Sequence, residues 1–146
     1  MTAVTIKIKR FDKELPLPAR QTEGAVGYDM YARIDTTIEP RSFGKIPLNV
    51  AIEFPPGCWL LLAARSSCFK HGLMPSNGIG IFDHDFRGDN DEYMFLVFNP
   101  TDAAVTISRG TRIAQLVPMA QVEVKIVEAD RLDAPDRGGY GSTGTH

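Results

Sequence analysis

Residues 77–88 read NGIGIFDHDFRG, and within them a carboxylate, Asp83, follows directly on an apolar stretch. Ile79, Ile81 and Phe82 set a strand rhythm, while Gly78 and Gly80 let another molecule lie close to the backbone. The spacing predicts a β-hairpin with Asp83 at its tip, where a strand with a buried apolar face has no packing reason to place a charge. Asp85 lies two residues further on, so on a continuing strand both carboxylates share a face and His84 turns away from them. Phe86 and a turn glycine, Gly88, complete the segment. The chemistry such a unit offers is a carboxylate held against a nucleoside; the alternative is an acidic hairpin turn without a ligand.

Four further segments carry polar residues in suggestive settings. GAVGYDMYA, residues 24–32, sets Asp29 in an apolar, glycine-flanked stretch, where a turn aspartate bonding its own backbone is the plainer role. Arg65 precedes Ser66 and Ser67 at an expected helix start, a combination of guanidinium, hydroxyls and free N–H groups that suits an anion and equally suits an ordinary cap. RGTRIAQLVP, residues 109–118, places Gln115 in an apolar strand, where an amide also satisfies neighbouring backbone groups. DRGGYGSTG, residues 136–144, combines Arg137, Tyr140, Ser142 and Thr143 among glycines. It reads as a linker, or as a loop that wraps phosphates with backbone N–H groups while its aromatic stacks on a flat base.

The elements that must position these residues are strands. Val4, Ile6 and Ile8 alternate with polar residues; so do Ile46, Leu48, Val50, Ile52 and Phe54, and again Val122, Val124 and Ile126. Alternation of this kind predicts half-buried antiparallel strands. CWLLLAA (58–64) and YMFLVF (93–98) are apolar on both faces and read as strands inside a sandwich or barrel. Turn signals at Glu39-Pro40, Pro55-Pro56-Gly57, Asn99-Pro100 and Ser108-Arg109-Gly110 separate them. Only SSCFKHGL (66–73) breaks the rhythm, predicting a short helix with Ser66 or Ser67 as N-cap and Gly72 as terminator. The expected architecture is all-β, a sandwich, jelly roll or barrel: a domain over 1–134, then a flexible glycine-rich tail over 135–146.

Composition narrows the partners. With 146 residues, 43% hydrophobic and 23% charged, the chain suits one globular domain. The net charge is −2 and the cations are scattered, which argues against a nucleic-acid partner. No apolar run approaches the ~20 residues that span a bilayer, so no membrane partner is expected. The N-terminus shows no export signal, and the expected location is the cytoplasm, or the nucleus, or a host cytosol for a viral chain. Cys58 and Cys68 make no disulfide framework, and the three histidines share no metal-ligand spacing.

Taken in order, the five polar segments resemble the five signature motifs of the trimeric deoxyuridine triphosphate nucleotidohydrolases (dUTPases), over residues 24–144. The resemblance implies a jelly-roll-like distorted β-barrel, a homotrimer with three shared sites, and hydrolysis of dUTP to dUMP and pyrophosphate with Mg²⁺. It makes Asp83 the base that activates water for attack on the α-phosphorus. Asn77 becomes the reader of the uracil edge, with backbone groups along Gly78, Ile81 and Phe82, and Phe86 the ring covering the deoxyribose. Arg65, Ser66, Ser67 and Gln115 become phosphate contacts. Arg137 clamps the γ-phosphate, Tyr140 stacks on the base from a third subunit, and Ser142 and Thr143 complete the tail. Asp29 matches the first-motif aspartate, linked to the metal side indirectly, through water or a neighbouring arginine.

Some positions depart from the pattern: Phe86 stands where tyrosine is common, Ser67 where glycine is frequent, the fifth motif is short, and GDNDE (88–92) is longer than usual. A dCTP deaminase shares the fold, but that family resembles a strand with a glutamate soon after the hairpin glycine, whereas YMFLVFN carries no acid. A non-catalytic nucleotide-binding jelly-roll regulator is the other alternative, for which a base, Gln115 and a tail arginine together have no use.

Overall fold

The computed structural model of the chain describes residues 3–144. Eleven strands and one 3₁₀ turn follow in the order β1 (Lys7–Arg10), β2 (Tyr28–Tyr31), β3 (Thr36–Ile38), β4 (Phe43–Pro47), β5 (Val50–Glu53), β6 (Cys58–Ala64), the 3₁₀ turn Cys68–His71, β7 (Met74–Pro75), β8 (Gly80–Phe82), β9 (Met94–Phe98), β10 (Val105–Ile107) and β11 (Arg112–Ala120). All pairings are antiparallel. The largest sheet runs β2-β11-β6-β8, beside β4-β9-β7 and the pairs β1-β5 and β3-β10. The sheets enclose one core but do not close into a continuous barrel: the all-β class that the alternation predicts takes the distorted jelly-roll form that the family resemblance implies.

In β6, Cys58, Leu60 and Leu62 are buried while Trp59, Leu61 and Ala63 are half-covered. The strand is thus apolar on both faces, but only one face lies in the core. In β9 the buried residues are Phe95 and Val97, in the same two-residue period. Burying each large apolar side chain contributes roughly 1.5–3 kcal/mol, so the facing rows of Leu60, Ile46, Ile113 and Phe95 hold the sheets together.

Two expected strands come out differently. The alternating run 46–54 is broken at Asn49, buried with φ 74°, so that β4 and β5 belong to different sheets. Asparagine tolerates this left-handed conformation because its side chain can bond nearby backbone. Here its amide exchanges two hydrogen bonds with the Asp12 backbone: Asp12 N–H donates to Oδ1 (2.7 Å) and Nδ2 donates to the Asp12 carbonyl (2.9 Å). Val122, Val124 and Ile126 form no strand and are 77, 74 and 92% exposed, because no sheet edge of their own chain lies beside them. Among the described residues the last strand ends at Ala120.

The predicted helix is a four-residue 3₁₀ turn. Ser67 is its N-cap but bonds nothing with its side chain, and Gly72 ends it in the left-handed conformation (φ 75°). No helix of the described residues is long and apolar enough to cross a membrane.

Candidate functional site

Asp29, Arg65 and Gln115 meet across the largest sheet. In β2 Asp29 lies opposite Gln115 of β11, and Gln115 lies opposite Ala63 of β6, just before Arg65. The Asp29 carboxylate is only 8% exposed, and its Oδ2 takes both Arg65 Nε at 3.3 Å and Arg112 Nη1 at 3.2 Å. Arg65 Nη1 also donates to the Arg112 carbonyl (3.0 Å), so the two guanidiniums are locked as a pair. One carboxylate is thus shared by two guanidiniums, which leaves the trio with one surplus positive charge. Asp29 therefore acts between strands, not as a turn residue bonding its own backbone.

Gln115 Nε2 donates to the Ala64 carbonyl (3.0 Å), fixing the amide across β6. Gly27 makes room for it, since a Cβ there would collide with the Gln115 side chain. Ser66 is exposed and Ser67 half-buried on the loop that follows, with both hydroxyls free of cap bonds. Arg112 is the residue that sequence reasoning passed over, although it sits three positions before Gln115 in the same segment.

On the other side of β6, residues 77–82 line a cavity of about 200 Å³ together with Leu62, Pro75, Met94 and Leu96. This is below the roughly 300–1,000 Å³ of sites for drug-sized ligands. Gly78 adopts φ 74°, which bends the chain at the mouth and leaves Asn77 exposed there. Ile81 is largely exposed at the rim and Phe82 half-buried at its back.

The predicted hairpin is not self-paired. β8 pairs with β6, ends at Phe82, and gives way to a turn closed by Phe86 N–H onto the Asp83 carbonyl (3.1 Å), with a second turn at 88–91. The extra residues of GDNDE occupy the return path before β9. Asp83 and Asp85 are both exposed on the first turn. His84 packs edge-on against Phe54 with Arg87 Nη1 at 3.2 Å from its Nδ1. Phe86 is half-buried, with its ring 5.8 Å from both Phe82 and Tyr93.

Within one chain the Asp83 turn stays apart from the arginine pair, although the cavity itself reaches Leu62, three positions before Arg65. Phe82 lies opposite Leu60, five positions before Arg65. Five residues at ~3.3 Å each put roughly 17 Å between those levels of the sheet. Among the described residues, the tail makes no side-chain hydrogen bond or ion pair to either group within its own chain. Its bonds are internal (Gly139 N–H to Ser142 Oγ, 2.7 Å; Ser142 N–H to the Gly139 carbonyl, 3.0 Å), and the Tyr140 ring is fully exposed. Arg137 and Thr143 are likewise exposed.

Among the described residues no cluster of three or more His, Cys, Asp or Glu forms a metal cage. Asp29 fits an indirect relation to a metal, because its Oδ2 already carries two guanidiniums while Oδ1 accepts no hydrogen bond from the described residues. Burial pushes both thiols up from their ordinary values, Cys68 within the core and Cys58 at its edge, which suits inert packing residues.

Comparison with known proteins gives a consistent picture. The family described as dUTPase matches residues 13–145. Deoxyuridine 5'-triphosphate nucleotidohydrolases of Caldanaerobacter subterraneus subsp. tengcongensis and Desulfitobacterium hafniense are 39% and 40% identical, over 97% and 99% of this chain and 99% of each relative. The crystal structure of dUTPase from Streptococcus mutans superposes with a TM-score of 0.73 at 28% identity, over 81% of this chain and 98% of that one. The dUTPase of Staphylococcus bacteriophage 80alpha with dUPNHPP shares the fold, with a TM-score of 0.84 at 22% identity over 97% of this chain and 99% of that one.

Proposed function

The chain belongs to the dUTPase family, and from that premise we propose that it hydrolyses dUTP to dUMP and pyrophosphate at sites shared between three copies of itself. The observation that carries this reading is the cavity of about 200 Å³ that residues 77–82 help to line, with an exposed carboxylate, Asp83, one residue beyond its wall.

Uracil enters that cavity. Asn77 offers a fixed donor and acceptor to the base edge, and the backbone at Gly78, Ile81 and Phe82 supplies the rest, a pattern that cytosine's exocyclic amine inverts. The narrow slot also leaves no room for thymine's methyl. Phe86 covers the deoxyribose and opposes a ribose 2′-hydroxyl. Asp83 holds the attacking water and accepts its proton as the oxygen approaches the α-phosphorus. Because phosphoryl transfer depends mainly on position and charge, the remaining residues orient and neutralise the phosphates. Arg65, locked to Arg112 through Asp29, presents guanidinium N–H groups; Ser66, Ser67 and Gln115 add neutral donors. The Arg65–Arg112 pair comes preorganised, so little rotamer entropy is lost on binding.

Mg²⁺, which would be held chiefly by substrate phosphates and waters with Asp29 reached through water, supplies further neutralisation of the triphosphate. Arg137, Tyr140, Ser142 and Thr143 close over the substrate from the tail, Arg137 on the γ-phosphate and Tyr140 on the base.

The separation of Asp83 from Arg65 along β6 supports a trimer. One chain brings the base and the uracil slot, a second the arginine cradle, a third the tail. The exposed apolar residues Val122, Val124 and Ile126 also suit an arm that leaves its own body.

Pyrophosphate release from dUTP, dCTP, dTTP and UTP tests the reading. Release from dUTP far above the other three is expected. Ammonia from dCTP would make the chain a deaminase, and binding without turnover would make it a regulator.

A further inference from the structure

Residues 88–92 bring acidic side chains that the proposed reaction does not use, yet one of them is held more firmly than a surface insertion requires. The Glu92 side chain is 8% exposed and forms a two-pronged pair with Arg33, Nε to Oε2 at 2.7 Å and Nη2 to Oε1 at 2.9 Å. Its Oε2 also accepts the Asn49 N–H at 2.9 Å. This hydrogen-bonded contact raises the Arg33 guanidinium above its ordinary value.

The next residue, Tyr93, spans the same kink. Its N–H donates to the Val50 carbonyl (2.8 Å), and its carbonyl accepts the Leu48 N–H (2.9 Å), so it bridges both sides of Asn49. Its ring is fully buried and stacks on Phe82, with centroids 3.8 Å apart and planes 6° from parallel. Phe86 leans on both rings, tilted 44° to Phe82 and 42° to Tyr93.

Phe86 lies on a turn outside any strand and has no polar atom, so packing alone sets its rotamer. Phe82 and Tyr93 are the aromatic rings against it. The Tyr93 hydroxyl is buried without a hydrogen-bond partner among the described residues, so the ring is what this side chain contributes there.

We propose that Glu92 and Tyr93 are positioning residues for substrate selection: Glu92 pins the backbone returning from the Asp83 turn, and the Tyr93 ring braces Phe86 in the orientation that opposes a ribose. The proposal rests on the dUTP-hydrolase reading and deepens it. A purely structural brace would, when weakened, lower activity on all nucleotides alike. A brace for Phe86 changes the ratio of kcat/KM for dUTP to that for UTP, since tilting the ring admits the 2′-hydroxyl.

The experiment measures that ratio in the full chain and in Tyr93→Phe, Tyr93→Leu and Glu92→Gln. Hydrolysis of dUTP by the unaltered chain tests the parent reading by itself, so its failure there is separate from failure of the brace. Tyr93→Leu should lower the ratio by ~10-fold or more, Tyr93→Phe should restore it to within about twofold of the parent, and Glu92→Gln should lower it by a few-fold. An unchanged ratio in Tyr93→Leu overturns the proposal, even if both rates fall together. Equal losses in Tyr93→Phe and Tyr93→Leu overturn it too, because the hydroxyl would then be the working group. Should Tyr93→Leu fail to fold, Glu92→Gln decides: a lowered ratio supports the brace, and an unchanged one overturns it.

Discussion

Asp29 and Asp83 show how two carboxylates of one chain take different tasks from their surroundings. Asp29 is nearly buried between Arg65 and Arg112, where two guanidiniums hold it in place, so it organises other groups. Asp83 stands exposed at the end of β8 with no ion-pair partner among the described residues, which leaves its oxygens open to a water. The expected consequence is specific. Asp83→Asn should bind a nonhydrolysable dUTP analogue with nearly unchanged affinity, measured by calorimetry, while turnover falls at least ~10²-fold, the usual worth of a positioned base. Turnover close to that of the parent would move the base elsewhere.

At the scale of elements, the body and the tail are built differently. β6 and β11 pair along seven consecutive positions, with Cys58, Leu60 and Leu62 of one and Ala114 and Leu116 of the other in the core, so Arg65 and Gln115 inherit the rigidity of the central strands. Residues 137–144 instead hold themselves in short turns at glycines of positive φ and leave Tyr140 wholly exposed. Such a segment becomes ordered only where something else covers it. Truncation after Asp136 should therefore leave the melting temperature and the assembly unchanged but remove most dUTP turnover, because Arg137 and Tyr140 leave with it and the site stays open to water. A truncated chain as active as the full one would reduce the tail to a linker.

At the scale of the whole molecule, the Asp83 turn and the arginine cradle of one chain lie at different levels of β6, and the proposed trimer is what brings a base and a cradle from different chains together. That arrangement makes a prediction no single-chain site would make. Asp83→Asn and Arg65→Ala should each be inactive alone, yet when the two chains are refolded together mixed trimers should regain pyrophosphate release. In any mixed ring one site draws an intact Asp83 from one chain and an intact Arg65 from its neighbour. No recovery on mixing would place both residues of a site in the same chain.

Much of this was legible in the residues themselves. Alternation of period two marks β1 and β5 because a half-buried strand needs an apolar side chain at every second position, whatever its partner. Gly72 announces the end of the 3₁₀ turn for an equally local reason, its freedom at positive φ. The polar residues of the five segments could also be singled out, since charges and amides within apolar strands are unusual wherever they occur. Which residues meet is another matter. That Arg112 joins Arg65 on Asp29, that Asn49 breaks an unbroken-looking strand, that Glu92 closes on Arg33 from 59 positions away, and that Val122 to Ile126 find no partner in their own chain all depend on which sheet edges lie beside one another. Periodicity specifies a face to be buried and says nothing of what buries it; only the packed sheets choose the partner, because that choice is made by contacts between residues far apart along the chain.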